Sequence, residues 1–238
     1  MQDRADSADG GLSGRFGDVA RLLQAEANLE AMLDEMVAAA IRLIPGAQEA
    51  SISIARAHRQ VTSEHASSEL ARTVDEVQTE VAQGPGLDTI YEQRTVRVPD
   101  MRTETRWPAY AGRAHELGVG SMLSFQLFVA GDNLGALNLF SRAADAFTEE
   151  SEQVGLVFAS HAAVAFAGAR KLGHLALAVD ARDLIGQAKG ILSERYTISG
   201  DQAFVVLLRL SQTGHRKLND LARELVSTGR LEGLPHRG

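Results

Sequence analysis

The chain is 238 residues long, 45% hydrophobic and 23% charged, with a formal charge of −7 and no cysteine. That length holds one large domain or two small ones, with enough apolar residues for a buried core. The lack of cysteine excludes disulfides, thiolate metal ligands and a thiol nucleophile, and sets the expectation of a cytoplasmic protein.

The charge is unevenly spread. From Ala181 to Gly238 nine Arg/Lys face six Asp/Glu, net +3, leaving fifteen against twenty-five upstream, net −10. Such asymmetry points to an electrostatically specialised segment. The opening residues, Met1-Gln2-Asp3-Arg4-Ala5-Asp6-Ser7, lack the basic start and apolar stretch of a secretory leader. No run reaches the roughly 18–20 uncharged apolar residues that cross a bilayer, so no membrane partner is expected.

In chain order, residues 1–14 are Asp-, Ser- and Gly-rich and predicted disordered. From Phe16 to Leu43 the pattern is helical, with Leu29, Met32, Leu33, Met36, Val37, Ala40 and Ile41 spaced by three and four, and Pro45-Gly46 ends it. Two strands follow, Ala50–Ala57 in strict alternation and Gln60–His65. A helix over Ser68–Ala82 stops at Gly84-Pro85-Gly86, and a short helix, Leu87–Glu92, precedes the strand Thr95–Val98. Trp107–Leu117 reads as a helix entered at Pro108. Strands Ser121–Val129 and Asn133–Phe140 come next, with Gly131-Asp132 as a hairpin turn. Adjacent late strands fit an antiparallel α+β sheet, expected to close near Ser141.

From Thr148 the spacing stays helical to about Tyr196 without a proline. Phe158, Ala162, Ala165, Ala169, Leu172, Ala176 and Val179 form a seam of period 3.5, a coiled-coil register. An ordinary helix lying on its own sheet is the alternative; a parallel homodimer through this helix is the expectation, with Phe16–Ile44 completing a four-helix bundle.

The remaining residues predict three short helices. The first presents Leu184, Ile185, Ala188, Ile191 and Leu192 on one face. Ser199-Gly200-Asp201-Gln202 fits a capping box for the second, whose expected core face is Ala203, Phe204, Leu207 and Leu208. The third buries Leu218, Leu221, Ala222, Leu225 and Val226.

Four blocks on these helices, Gln187-Ala188-Lys189-Gly190, Ala203-Phe204, Leu208-Arg209 with Ser211-Gln212, and Lys217-Leu218, together resemble the ANTAR domain, an RNA-binding module of bacterial antiterminators. The resemblance implies that the chain binds paired RNA hairpins in leader transcripts. Carried over by position, it makes Ala188, Lys189, Gly190, Arg195, Arg209, Ser211, Gln212, Arg216 and Lys217 the candidate RNA-binding residues, Ala188 and Gly190 clearing bulk around the Lys189 ammonium. RNA loops offer unstacked bases and a phosphate track that helix-borne Arg and Lys can grip.

Upstream, Gly84-Pro85-Gly86-Leu87-Asp88, Thr95–Asp100, Arg106-Trp107-Pro108 and Gly135–Phe140 resemble a GAF-type sensor domain. Relatives often carry cysteine where this chain has Gly86, so the resemblance implies neither thiol sensing nor covalent chromophore attachment there. Trp107, Tyr110, Phe125 and Phe128 are the candidate lining of a small-molecule pocket, with plain core as the alternative. No cofactor is expected, and no metal, since the seven histidines form no pair at ligand spacing. Phosphate-binding glycine loops, an H-E-x-x-H helix and a G-x-S-x-G elbow are all missing, so no enzymatic role is expected.

The expected class is thus α+β: a GAF-like antiparallel-sheet sensor at 15–165 behind the disordered 1–14, a helical linker at 166–180, an all-α three-helix ANTAR bundle at 181–233, and a tail at 234–238. The expected function is signal-responsive RNA-binding antitermination, with a DNA-binding transcription factor or a protein-interaction scaffold as alternatives.

Overall fold

The computed structural model describes residues 29–55, 61–92, 94–129 and 132–231. The expected disordered segment 1–14, the helical start at Phe16, the tail 234–238 and Gly131 of the hairpin turn lie outside them. Two units divide the chain, one ending at Arg170 and one beginning at Lys171.

The first unit has three layers. Its elements in order are α1 (Leu29–Leu43), β1 (Glu49–Ala55), β2 (Val61–Ala66), α2 (Glu69–Val81), α3 (Pro85–Tyr91), β3 (Thr95–Val98), α4 (Pro108–Glu116), β4 (Ser121–Val129), β5 (Asp132–Ser141) and the start of α5 (Glu149–Tyr196). The five strands pair antiparallel in the order β2-β1-β5-β4-β3. Asp132, expected in the turn, already belongs to β5, paired with Val129.

Alternation along the strands gives the sheet two unlike faces. Ile52, Leu123, Phe125, Leu127, Leu137 and Leu139 form one core with Met32, Met36 and Ala40 of α1 and Phe158, Ala162 and Phe166 of α5. Fully burying a side chain of this size contributes about 1.5–3 kcal/mol. The other face carries Met122 and Phe140 into a second core with Val74, Trp107, Tyr110 and Ala114. Its centre is polar: Ser51, Ser53, Ser124 and Asn138 are all buried there.

The first turns of α5 are therefore one of the layers of this unit. Phe158 and Ala162, placed by sequence on a dimer seam, are buried against the chain's own sheet. Farther along, Leu172 is 69% exposed; the side chains of Ala176 and Val179 lie outside the described set. The period of 3.5 thus serves the sheet first.

The second unit contains the rest of α5, α6 (Gly200–Thr213) and α7 (Leu218–Thr228). Ala188, Leu192, Ala203, Leu207, Leu221, Ala222, Leu225 and Leu231 make its core. Ser199 caps α6 through a complete capping box: its hydroxyl accepts from the Gln202 amide at 3.2 Å and the Gln202 side chain accepts from the Ser199 amide at 2.8 Å. Both bonds occupy donors that a helix start leaves orphaned. Gly229, at φ +67, ends α7 with its amide on the Leu225 carbonyl, a left-handed cap that glycine adopts without strain.

Candidate functional site

The surface of the three-helix unit sorts its polar groups into engaged and available ones. Arg195 donates from Nη1 to the Gly229 carbonyl at 2.8 Å and so ties α5 to the end of α7. Ser211 donates its hydroxyl to the Arg216 carbonyl at 2.6 Å, closing the turn between α6 and α7. Arg216 is paired with Glu224 at 2.6 Å and Arg223 with Asp220 at 3.5 Å. Arg209, Gln212 and Lys217 are exposed, and among the described residues no ion pair neutralises Arg209 or Lys217. Lys189 is half-buried, its ammonium 5.9 Å from the centre of the Phe204 ring. Gly186 and Gly190 stand one turn apart beside it, and a β-carbon on either would meet nothing within 4 Å.

The polar face of the sheet holds a closed network around Asp75 of α2. Ser53 and Ser63 donate hydroxyls to its Oδ2 at 3.0 Å each, while Gln78 and Asn138 donate amides to Oδ1 at 3.1 Å each. Ser124 donates to the Asn138 side-chain Oδ1 at 2.6 Å, and Gln78 Oε1 accepts the Gly86 amide at 2.7 Å. Burial raises the Asp75 carboxyl above the ordinary carboxylate range, and the Ser53 and Ser63 hydroxyls with the Gln78 amide pull it back. Burial, then the charge of Asp75, also pushes the Tyr110 phenol well above its ordinary value. At the rim, Asp88 accepts the Trp107 indole N–H at 2.9 Å, and the Arg106 guanidinium lies 4.3 Å from the centre of that ring. Asp88 and Trp107 belong to two separate blocks of the sequence, and this bond is what joins them.

A protein-family model for the GAF domain matches residues 26–167, well over half of the chain, and one for the ANTAR domain matches residues 173–226. The chain belongs to the GAF–ANTAR family of two-domain regulators. A sensor domain followed by a regulatory output domain makes this protein a signal-responsive regulator. The chain matches no curated protein sequence.

Among solved structures the GAF domain is similar to that of a phosphoenolpyruvate-protein phosphotransferase from Coxiella burnetii, at 19% identity and a TM-score of 0.54, covering 68% of this chain and 96% of that one. It is also similar to the free methionine-R-sulfoxide reductase of Neisseria meningitidis, at 15% identity and a TM-score of 0.55, covering 67% and 90%. The GAF domain of an Acinetobacter phosphoenolpyruvate-protein phosphotransferase is a third such neighbour, at 13% identity and a TM-score of 0.52, covering 68% and 97%. Likeness at these identities is likeness of fold. With no cysteine in the chain, no thiol of its own can serve a sulfoxide reduction.

Several sequence-predicted site residues stand elsewhere than expected. Ala188 of the ANTAR domain is fully buried in the helical core, so its small size serves close helix contact and not access to Lys189. Gly190 does leave open space there. Arg195, Ser211 and Arg216 are hydrogen-bonded within the fold, Arg216 while remaining exposed; for Lys189, Arg209, Gln212 and Lys217 no such side-chain bond is seen among the described residues. The core face of α6 is Ala203, Val206, Leu207 and Leu210; Phe204 and Leu208, assigned to it by spacing, are exposed.

In the GAF domain the four aromatic residues do not line one cavity. Trp107 and Tyr110 lie in the core under α2 and α4, Phe125 lies in the core under α1 and α5, and Phe128 is exposed. Odd positions of β4 face away from α4, which separates Phe125 from Tyr110. The Asp75 network went unread in the sequence, although the Ser51/Ser53 alternation on β1 hinted at a hydrophilic sheet face. A β-carbon at Gly86 would stand 2.8 Å from Asn138 Oδ1. The network thus fills the space beside Gly86.

Proposed function

We propose that this protein is an RNA-binding antitermination regulator, its ANTAR domain gripping paired hairpins in leader transcripts under control of the GAF domain. What supports the reading is the set of accessible polar and cationic groups on the ANTAR surface, Lys189, Arg209, Gln212 and Lys217, standing where the family's blocks fall. Each phosphate neutralised by such a cation releases counterions and makes affinity fall with salt.

Duplex DNA recognition is less well supported. Arg223 within α7 is paired with Asp220, and Arg216, just before the helix, with Glu224, so along α7 itself no unpaired arginine or lysine faces a major groove.

We also propose that the functional form is a homodimer through α5. On the GAF portion of the helix Val157 and Val164, seven residues apart, are 44% and 57% exposed, and on the ANTAR portion Leu172 and Leu175 are 69% and 55% exposed. Apolar side chains at these positions gain from a second helix.

The deciding experiment is a gel-shift comparison of paired RNA hairpins with duplex DNA of matching sequence. Preferential binding of the hairpins, weakened at least tenfold by Lys189→Ala, supports the proposal. Equal affinity for both, or an unaffected Lys189→Ala, refutes it.

A further inference from the structure

The outward face of α6 carries an aromatic and aliphatic patch on an otherwise polar surface. Phe204 is 36% exposed, Val205 46% and Leu208 38%, with Arg209 and Gln212 exposed beside them. The spacing of Phe204, Leu208 and Gln212 by four places them along one side of the helix. None of the three apolar residues is needed inside, since Ala203 and Leu207 already fill that role.

Lys189 reaches this patch from α5. Its ammonium lies 5.9 Å from the Phe204 ring centre, within the range of a cation–π contact. A β-carbon at Gly200 would sit 3.4 Å from Lys189 Cε, so the stem of the lysine runs past the start of α6 toward the ring. On the near side, Gly186 and Gly190 leave a shelf where added β-carbons would meet nothing. Glycine inside a helix costs about 1 kcal/mol against alanine. Among the described residues no contact accounts for this clearance.

We infer that Phe204 is a stacking platform for an unpaired base of the bound RNA, with the Lys189 ammonium on the adjoining phosphate and the Gly186/Gly190 shelf admitting the backbone. The inference rests on the RNA-binding reading above and adds to it the element by which loop bases are selected. Every base has a π-face that an exposed aromatic ring can take, and single-stranded RNA loops are recognised by stacking of this kind. Phosphate and base together satisfy both members of the Lys189–Phe204 pair. A second copy of the chain fits the patch less well. A two-fold contact is self-complementary, and it would bring the Lys189 and Arg209 charges of one protomer toward those of its mate.

The test uses the full chain and a pool of synthetic two-hairpin RNAs with randomised loops. The tightest-binding RNA is then remade with 2-aminopurine at each loop purine in turn. Wild type should quench the fluorescence at one loop position. Phe204→Leu should abolish that quench and weaken binding roughly five- to hundredfold with an unchanged salt slope, and Phe204→Trp should restore both. Lys189→Ala should instead lower the salt slope by about 0.7, the loss of one single-strand phosphate contact. Binding of the pool with the quench and affinity intact in Phe204→Leu overturns the stacking role and leaves RNA recognition standing. Failure of every hairpin in the pool to outcompete unstructured RNA overturns the RNA reading itself. Dissociation of a wild-type dimer by Phe204→Leu, seen in sedimentation, would also overturn the stacking role by showing the patch to be a contact between copies.

Discussion

Gly155 of α5 lies directly over the ring of Phe125 on β4: a β-carbon on the glycine would stand 2.2 Å from Phe125 Cζ. The contact sets how closely α5 approaches the sheet, because both backbone and ring are held by buried neighbours. Gly155→Ala should therefore destabilise the GAF domain by about 1–3 kcal/mol through overpacking, outweighing the helix propensity gained. A lower denaturation midpoint at unchanged urea m-value is the expected reading. An unchanged or raised midpoint would mean that the ring moves aside freely.

Asp75 should behave as a carboxylate that the fold tolerates. A carboxyl whose folded pKa exceeds its unfolded one binds more protons when folded. Its contribution to stability therefore falls as pH rises from the unfolded value, near 3.8, through the folded one. Asp75→Asn keeps one acceptor for the Gln78 and Asn138 amides and presents a donor to the Ser53 and Ser63 hydroxyls, which can rotate. Its stability relative to wild type should rise with pH across that window. Asp75→Leu strands the same four donors and should cost about 4 kcal/mol or more at neutral pH, since each buried group left unpaired costs about 1–3 kcal/mol. Urea titrations at several pH values check both.

Gly190→Ala separates stability from recognition. With open space around the new β-carbon, the helix should gain up to about 1 kcal/mol, read as a higher thermal midpoint. Affinity for paired hairpins should fall, by roughly tenfold, as the methyl group intrudes on the shelf beside Lys189. A variant that gains stability and binds RNA unchanged would show that the shelf is vacant in the complex.

Arg195→Ala should act on the fold before it acts on RNA. The guanidinium holds the Gly229 carbonyl at the end of α7, and a hydrogen bond to a charged group contributes about 1.5–3 kcal/mol. Faster hydrogen exchange along α7 is the expected sign, with the salt dependence of RNA binding unchanged. A reduced salt slope with normal exchange would return Arg195 to the set of phosphate contacts.

Much of this architecture could be read from the sequence. The Ser-Ile alternation of β1, the proline entry of α4 and the capping box at Ser199 are local signals, and the structure uses them locally; Pro85, read as a stop, instead opens α3, two residues before the expected Leu87. Other features had no local signal. The α6 sequence Ala203-Phe204-Val205-Val206-Leu207-Leu208 is apolar on every side, so periodicity could not say which stripe is buried. Alanine at 188 suits close helix contact as well as clearance for a ligand. A seam of period 3.5 fits a sheet as readily as a second helix, and the burial of Phe158 and Ala162 in the sheet's core decides for the sheet. The role of Asp75 had no local signal either, because its partners Ser53, Ser63 and Asn138 come from distant strands.

The two unlike faces of the sheet also guard its assembly. A slip of β1 by one residue against β5 would turn Ile52 and Ile54 toward Asp75 and drive Ser51 and Ser53 into the oily layer beneath α1 and α5. Both halves of that error are penalised at once, aliphatic groups against a carboxylate and hydroxyls without partners. Misaligned strands should therefore be rejected early, and the central pair of this sheet should form in a single alignment.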